Sequence, residues 1–535
     1  MKNTSKAVKN TAKKYEPAGG GMNGIYSVSL ERSMAMKIKV WKSVLAGVLA
    51  ALVISLSFTG SVSAEDLPYN PYVYDYWDDV AHTPAAYEPA GMVRGGDLVY
   101  EGESIGAFVN PQDLCKSEDG SIYLADTGNQ RIVVLNQDMT EVVNIFTSFD
   151  NNGTEDTFNM PTGVCVSTKN WLYIADSMNR RVVILDLATG DLMGIVENPQ
   201  SDILEPGYVF TPLKVSVDYA DRVYCIAQNM FEGIMVFEAN GEFTGFFGTI
   251  EVQISLWEKF WRRLATKEER SKSQLFIPTE FTGIDVDSDG FVYATNIDLE
   301  GLQGVRRLNP RGEDVIKQGE NENVGGDLWI EGSTDYAGPS QITDVVYRDK
   351  GIFSLLDRRR GRIFTYDHEG NLLYIFGGLG TQVGTFMAPV AIESVGNQIV
   401  VLDSNRAAIF RFNATEYGRL INEAVRLRYD GDETRAVEMW RQVLKLNENF
   451  ELANSGIGKA YLTAKDNETA MYYLKLGMNR EYYSIAFKRY RNEILKANLN
   501  YILTGMMVIV IGYLAVSKIV KKKKGIEKEE DILNG

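Results

Sequence analysis

A unit of about fifty residues recurs six times along this 535-residue chain, and that repeat limits the possible folds more than any other feature. Residues 110–136, NPQDLCKSEDGSIYLADTGNQRIVVLN, align with residues 160–186, MPTGVCVSTKNWLYIADSMNRRVVILD. Both copies contain a proline, a short strand, a turn, an apolar strand ending in Asp, a tight turn and a further apolar strand. The other copies begin at Pro212, Pro278, Pro339 and Pro389. We therefore predict a mainly β region made of six small sheets.

A short polar residue ends the second strand of every copy. In chain order these residues are Asp126, Asp176, Gln228, Asn296, Asp357 and Asp403. Their side chains can accept hydrogen bonds from the N–H groups of the following turn, which would make them structural. The alternative is that they bind a ligand. We favour it less, because a short polar residue at the same turn in six regular copies is better explained by a structural role in that turn.

The pattern resembles the NHL repeat, whose motif runs P-x-G-h-x-h…h-Y-h-A-D-x-x-N-x-R-h-x-h, where h is apolar. The first two copies match it closely, whereas the third and fourth lack the Asp. The resemblance covers residues 97–413 and implies a six-bladed β-propeller of four-stranded blades around a central channel. Upstream, DLVYEGESIGAFVNP (97–111) is similar to LLYIFGGLGTQVGTFMAP (372–389). We therefore expect a strand at 97–101 to complete the sixth blade and leave the ring without a free edge.

The periodicity becomes helical from Glu416, and residues 416–497 carry a 34-residue repeat in which GDETRA (431–436) corresponds to KDNETA (465–470). This resembles the tetratricopeptide repeat, and the resemblance implies a protein-docking surface. The alternative is a helical spacer between the ring and a membrane. Trp440 is a candidate partner contact in this region.

Both ends of the chain carry segments that indicate export and membrane anchoring. Residues 36–64 have the basic start, apolar middle and small final residues of a signal peptide, with an uncleaved anchor as the alternative. Residues 1–35 are predicted to have no folded role, and 65–96 to form an extended segment. Residues 499–520 are long and apolar enough for a transmembrane helix, with a buried core helix as the alternative. Residues 521–535 would then form a cytoplasmic tail, which begins with four lysines.

Charge restricts the partners of the exported part. The whole chain carries a net charge of −16. Without the 9 basic and 2 acidic residues of 1–64 and the 6 basic and 4 acidic residues of 517–535, 40 basic and 65 acidic residues remain, a net charge of −25. Such a surface repels nucleic acid and anionic polymers, so we predict neutral glycans, cations or proteins as partners.

Histidine and cysteine are too few for several kinds of site. The chain has two His residues, His82 and His368, so it cannot build a site from three imidazoles. Its three Cys residues, Cys115, Cys165 and Cys225, are interpreted as small core residues rather than as a disulfide framework.

One segment resembles a calcium-binding loop. DVDSDGFVYATN (285–296) places three aspartates at alternate positions before a glycine, but Asn296 stands where such a loop needs Glu. A hairpin turn between two strands explains the same residues. We find no motif for a catalytic set, a metal or a cofactor, and predict none.

Two insertions interrupt the repeats. SLWEKFWRRLATKEER (255–270) places Trp257, Phe260 and Trp261 on one helical face, and these are candidate partner contacts. We expect this segment to pack on the ring, with lipid or a partner helix as alternatives. Residues 311–338 are acidic and Gly-rich, and we predict a loop.

The candidate ligand-binding residues are polar residues close to the repeat prolines, where the inner strands of a propeller begin. They are Asp113, Lys214, Glu280, Gln341 and Asp344. The alternative is that they form a solvated channel wall.

Together these features predict a membrane-anchored, extracytoplasmic binding or scaffold protein. Its propeller would bind a glycan or a protein, and its helices would dock a membrane partner such as a transporter or secretion complex. The alternative is a cation-dependent, lactonase-like hydrolase acting on a lactone or sugar derivative at the channel. The resemblance to such propellers implies a cation held by Glu, Asn and Asp.

Overall fold

The computed structural model describes residues 67–204, 206–249, 280–298, 304–319, 324–327 and 337–533, with side chains as far as residue 523. Two compact units divide the chain at residue 66, and the second unit contains every described residue. The predicted N-terminal extension (1–35), signal peptide (36–64) and amphipathic segment (255–270) lie outside the described residues.

Five strands precede the first repeat. They are β1 (Tyr72–Tyr74), β2 (Val80–His82), β3 (Tyr87–Arg94), β4 (Val99–Tyr100) and β5 (Glu103–Ser104). β1 pairs with β2, and β4 pairs with β5 in a short hairpin of its own.

Six antiparallel sheets follow, and they form the blades of a β-propeller. Blade 1 is β6 (Asp113–Lys116), β7 (Ile122–Asp126), β8 (Arg131–Leu135) and β9 (Val142–Phe146). A hairpin, β10 (Ser148–Asn151) and β11 (Thr154–Thr157), leads into blade 2. Blade 2 is β12 (Pro161–Val166), β13 (Trp171–Asp176), β14 (Arg181–Asp186) and β15 (Leu192–Val196). Blade 3 is β16 (Pro212–Val217), β17 (Val223–Ala227), β18 (Ile234–Phe237) and β19 (Phe243–Phe247).

The remaining three blades continue the same order. Blade 4 shows three strands among its described residues, β20 (Phe281–Val286), β21 (Val292–Asn296) and β22 (Val305–Leu308). Blade 5 is β23 (Ile342–Asp349), β24 (Ile352–Asp357), β25 (Arg362–Tyr366) and β26 (Leu372–Gly377). Blade 6 contains β27 (Pro389–Val395), β28 (Gln398–Asp403) and β29 (Ala408–Ala414). The first strand of each blade contacts the first strand of the next, and β27 contacts β6, so the ring is closed. The predicted six-bladed propeller is confirmed.

The strand that closes blade 6 is β3, which pairs with β29 from Arg94 opposite Ala408 to Tyr87 opposite Ala414. Closure by an N-terminal strand is confirmed, but its predicted position at 97–101 is wrong, and the ring begins at Tyr87. The eight-residue β3 matches the seven residues of β29, and its Tyr87 and Val93 are buried in blade cores. β4 has only two residues and lies between glycine-containing turns, so it cannot supply that pairing or that burial.

The repeated aspartates act as structural residues, as predicted. One oxygen of Asp176 accepts the N–H of Asn159 at 2.7 Å, and the other accepts Asn179 Nδ2 and Arg181 Nε, both at 2.9 Å. Asp126 makes the same set of bonds in blade 1. These carboxylates therefore join the turn after the second strand to the segment that enters the first strand.

Five helices follow the ring. They are α1 (Glu416–Tyr429), α2 (Glu433–Leu446), α3 (Glu451–Thr463), α4 (Asn467–Leu476) and α5 (Arg480–Leu533). The side chains of Thr415, Asp432 and Asp466 cap the first turns of α1, α2 and α4. Trp440 was a candidate partner contact, but it is only 3% exposed and packs near Phe450, so it belongs to the helical core.

The helices pack on blades 5 and 6, on the side of the ring where first strands end. Arg426 bonds to Asp349 at 2.8 Å beside the turn between β23 and β24. Arg428 and Lys459 bond to Glu369, in the turn between β25 and β26, at 3.2 and 2.7 Å. The opposite side, where first strands begin, is named here the mouth face. Contacts of α1 with β24 and β29 place the helices away from it.

The predicted transmembrane segment 499–520 lies within α5. The part of this helix from Arg480 to Lys523 is long and apolar enough to cross a membrane, and its most apolar stretch is not buried against the rest of the protein. The structure therefore supports one candidate membrane span, by length and composition, among the described residues.

Candidate functional site

Inward-facing side chains on the first strands form two layers across the channel. The strand registers align Asp113, Lys214 and Asp344 in the first layer, from blades 1, 3 and 5. Blades 2, 4 and 6 contribute Gly163, Gly283 and Ala391 at the same level. A Cβ at Gly283 would lie 2.6 Å from Asp344 Oδ1, so a small residue is needed there for the charged side chains to meet.

Lys214 joins the two aspartates of the first layer. Its ammonium lies 2.8 Å from Asp113 Oδ1 and 3.0 Å from Asp344 Oδ1. The other oxygen of Asp113 accepts the Val164 N–H at 3.0 Å, and that of Asp344 accepts the Ile392 N–H at 2.9 Å. Every carboxylate oxygen of the pair thus has a donor within the ring. Burial opposes the charge on Lys214, but the two carboxylates outweigh burial and raise its pKa.

A second charged group lies in the next layer. Lys116 Nζ is 3.1 Å from Glu393 Oε1 and 2.7 Å from the Ser394 carbonyl oxygen. Asp285 Oδ2 accepts the Tyr347 N–H at 2.6 Å. Burial, reinforced by the charge of Glu393, raises the pKa of Asp285 to about 7. In the first layer, burial raises the pKa of Asp344 to about 6 although Lys214 lowers it.

The space left between the two layers is small. A cavity of about 50 Å³ is lined by residues of both layers, including Cys115 and Cys165. Since one water needs about 10–15 Å³ of such space, this volume suits a few water molecules rather than an organic ligand. The charged layers therefore plug the channel.

Of the five predicted lining residues, Asp113, Lys214 and Asp344 come together and two do not join them. The Glu280 carboxylate accepts the backbone N–H of Asn229, outside the plug. Gln341 donates its backbone N–H to Asp357 at 2.9 Å. Both lie at the rim of the mouth face.

The calcium-like loop behaves as a turn. Asp287 Oδ1 accepts the N–H groups of Asp289 and Phe291, at 2.9 and 2.8 Å, and Asp287 Oδ2 bonds to Arg307 at 2.8 Å. Asp285 instead lies in the channel. Among the residues that the structure describes, no three His, Cys, Asp or Glu side chains are grouped to hold a metal ion.

Exposed apolar side chains lie on the mouth face of blades 1, 2, 3 and 6, a feature absent from the sequence-based prediction. Those in the segments that enter first strands are Val109, Met160, Val209 and Met387, with exposed fractions of 47%, 37%, 44% and 51%. Met178 and Phe231 add to them from turns that follow second strands. Backbone bonds from Gly128 to Val109 and from Met178 to Asn159 show that these two kinds of segment adjoin. We name the six residues the mouth ring; the signal that could have found it is an apolar residue just before most repeat prolines.

No protein-family model matches the chain, and no curated protein matches it. Similar solved structures include a streptogramin B lyase, 11% identical with a TM-score of 0.37, covering 62% of this chain and 97% of that one. Virginiamycin B lyase from Staphylococcus aureus is 10% identical with a TM-score of 0.35, covering 57% and 95%. A protein of unknown function from Bacteroides thetaiotaomicron is 15% identical with a TM-score of 0.41, covering 63% and 78%. At these identities and scores, none of them bears on what this chain binds.

Proposed function

We propose that this chain is a membrane-anchored, extracytoplasmic binding or scaffold protein, built from NHL-type repeats and tetratricopeptide-like helices, that docks a protein partner on its mouth face. The mouth ring is the observation that carries this proposal. Scattered exposed apolar residues are ordinary, but a set concentrated on one face of four neighbouring blades favours a protein-binding surface. The described helices pack on the other side of the ring.

The plug favours a protein over a small ligand in the channel. Asp113, Lys214 and Asp344 satisfy one another and the neighbouring backbone, so a ligand entering there would have to break buried ion pairs. A partner surface resting on the mouth ring needs no such disruption. The net charge of −25 on the predicted exported part favours a neutral or basic partner.

The cation-dependent hydrolase is the weaker candidate. The Lys214 ammonium occupies the position between two carboxylates where a bound cation would have to sit. Glu280, the glutamate at the rim, bonds elsewhere. Lactone turnover that is lost on chelation would favour the hydrolase and contradict the scaffold proposal.

Site-specific photo-crosslinking in native membranes tests the docking surface. A photoreactive amino acid at Met160 or Met387 is expected to yield a protein adduct. The matched controls are Val143 and Met193, which are 56% and 46% exposed on the outer strands β9 and β15. Adducts from the mouth ring alone support the proposal, provided that the adduct at Met160 is lost in Met387→Glu and the adduct at Met387 is lost in Met160→Glu. Equal adducts from all four positions, or none from the mouth ring, would overturn it.

A further inference from the structure

A second cavity lies where the ring, the helices and the β1–β2 hairpin meet. Its volume is about 310 Å³, at the lower end of the roughly 300–1,000 Å³ of small-molecule pockets. It shares no lining residue with the cavity of the plug. We name it the junction cavity.

One face of α3 supplies its polar wall. Glu451, Ser455 and Lys459 follow one another at intervals of four residues and so lie on the same side of the helix. Ser455 and Lys459 are only 5% and 8% exposed, yet both line the cavity. Asn479, before α5, is 2% exposed and joins them.

Several of these groups have hydrogen-bonding capacity left over. Asn479 Oδ1 accepts the Tyr482 N–H at 3.0 Å, which leaves its amide N–H groups without a protein partner among the described residues. Thr83 also lines the cavity. Its hydroxyl oxygen is buried and has no hydrogen-bond partner among the described residues. Glu451 Oε2 accepts the Tyr76 N–H at 3.0 Å, and its second oxygen has no protein donor among the described residues. Such groups favour a ligand that both donates and accepts hydrogen bonds.

The charges that line the cavity are largely compensated. Lys459 bonds to Glu369 at 2.7 Å, and Arg428 shares that carboxylate at 3.2 Å. Asp75 and Glu451, which also line the cavity, would repel an anion. Burial raises the pKa of Glu451, and Asp75 raises it further, so an added negative charge would be unfavourable.

Aromatic rings complete the wall. Tyr74, Tyr76 and Phe450 line the same cavity as the hydroxyl and amide groups. A sugar ring offers hydroxyl groups that donate and accept hydrogen bonds, together with C–H faces that pack on aromatic rings. We propose that the junction cavity binds a neutral saccharide of one or two rings. This site is independent of the mouth ring.

Titration of the full-length chain with defined sugars tests this proposal. The protein is held in lipid nanodiscs, because detergents with sugar headgroups would compete for the cavity. The probes are glucose, galactose, N-acetylglucosamine, maltose and cellobiose, with glucuronate and glucosamine as charged comparisons. Calorimetry and saturation-transfer NMR are expected to detect at least one neutral probe, bound more tightly than either charged one.

Two substitutions locate the binding in the cavity. Asn449→Trp, at an exposed lining position, is expected to weaken that binding at least tenfold by filling the cavity. Ser455→Ala should weaken it by about threefold to tenfold through the loss of one hydrogen bond. The control Glu448→Trp changes the neighbouring exposed residue, which does not line the cavity, and should leave affinity within about twofold.

Three results would overturn the proposal. One is the absence of binding by every neutral probe up to about 10 mM. Another is binding that Asn449→Trp does not weaken. The third is binding of glucosamine or glucuronate alone, which would mean a cation or anion site. None of these depends on whether the mouth ring binds a protein.

Discussion

The ammonium of Lys214 lies 2.8 Å from the carboxylate of Asp113, although the two residues belong to blades 3 and 1 and are 101 positions apart. The same ammonium reaches Asp344 of blade 5 at 3.0 Å. One lysine therefore links three alternate blades across the channel, with glycine or alanine between them. This arrangement makes the plug a structural element of the closed ring.

Replacement of Lys214 by Met should destabilise the protein strongly. Two buried carboxylates would lose their cation, at a cost of about 3–5 kcal/mol. Urea unfolding measures this change. The control Lys350→Met removes the pair with Asp430, in which the two side chains are 46% and 50% exposed, and should change stability far less. Equal losses in the two variants would contradict a structural role for the plug.

Asp285 makes stability depend on pH. Its pKa is raised to about 7, so the folded state holds the proton more tightly than the unfolded chain does. The resulting stability is present below about pH 4 and is lost as the pH rises towards 7. The side chain of Asp285→Asn stays neutral at every pH. We therefore expect the free energy of unfolding of this variant to exceed that of the original protein by about 1–3 kcal/mol at pH 8 but not at pH 4.

Thermal unfolding at several pH values checks this expectation. The charges of Glu393 and Lys116 act on the pKa of Asp285, so both residues remain unchanged in the comparison. The exposed Asp138→Asn is the control and should reproduce the original pH profile. An Asp285→Asn profile that falls as steeply as the original would refute the assignment.

Glu369 has the opposite pH dependence. Burial alone would raise its pKa, but Lys459 and Arg428 outweigh burial and hold it at about 2. The contribution of Glu369 to the stability of the folded protein is present above about pH 4.5 and is lost as the pH falls towards 2. Glu369→Gln should therefore cost about 1–3 kcal/mol at pH 7 and much less at pH 3.

Denaturant unfolding at the two pH values measures the effect of Glu369. Asp430→Asn is the matched control, because it removes a pair with Lys350 in which both side chains are about half exposed. We expect that control to change stability by less than about 1 kcal/mol. A Glu369→Gln defect of the same size at pH 7 and pH 3 would argue against an ionic contact between ring and helices.

Two equivalent substitutions test which segment closes the ring. Val93 in β3 is 7% exposed, whereas Val99 in β4 is 57% exposed. Val93→Lys should cost about 3 kcal/mol or more because it buries a charge, and Val99→Lys should stay within about 0.5 kcal/mol. Circular dichroism during heating compares them, and a larger effect at Val99 would place closure at 97–101 after all.

Local pattern was enough to predict the blades, the helices and the candidate membrane span. Each of the first two copies contains a proline, a buried second strand and an Asp such as Asp176. These features recur because the second strand of each blade packs in the same local environment. The 34-residue repeat predicted α1 to α4 for a similar reason. Three of the five predicted channel residues also proved to be neighbours, because equivalent repeat positions face one axis.

The rest depended on contacts between residues far apart in the chain. Val93 and Val99 lie in segments of similar β character. The segment that contains Val93 closes blade 6 because it is long enough to pair with β29 and because its side chains fill space in two blade cores. Trp440 is a buried residue because α3 packs over it, which its own sequence neighbours do not reveal. Sequence alone therefore determined the repeating elements, since backbone geometry sets their periodicity within a few residues. Tertiary structure decided the plug, the closing strand and the junction cavity, since each joins side chains that only the closed ring and its docked helices bring together.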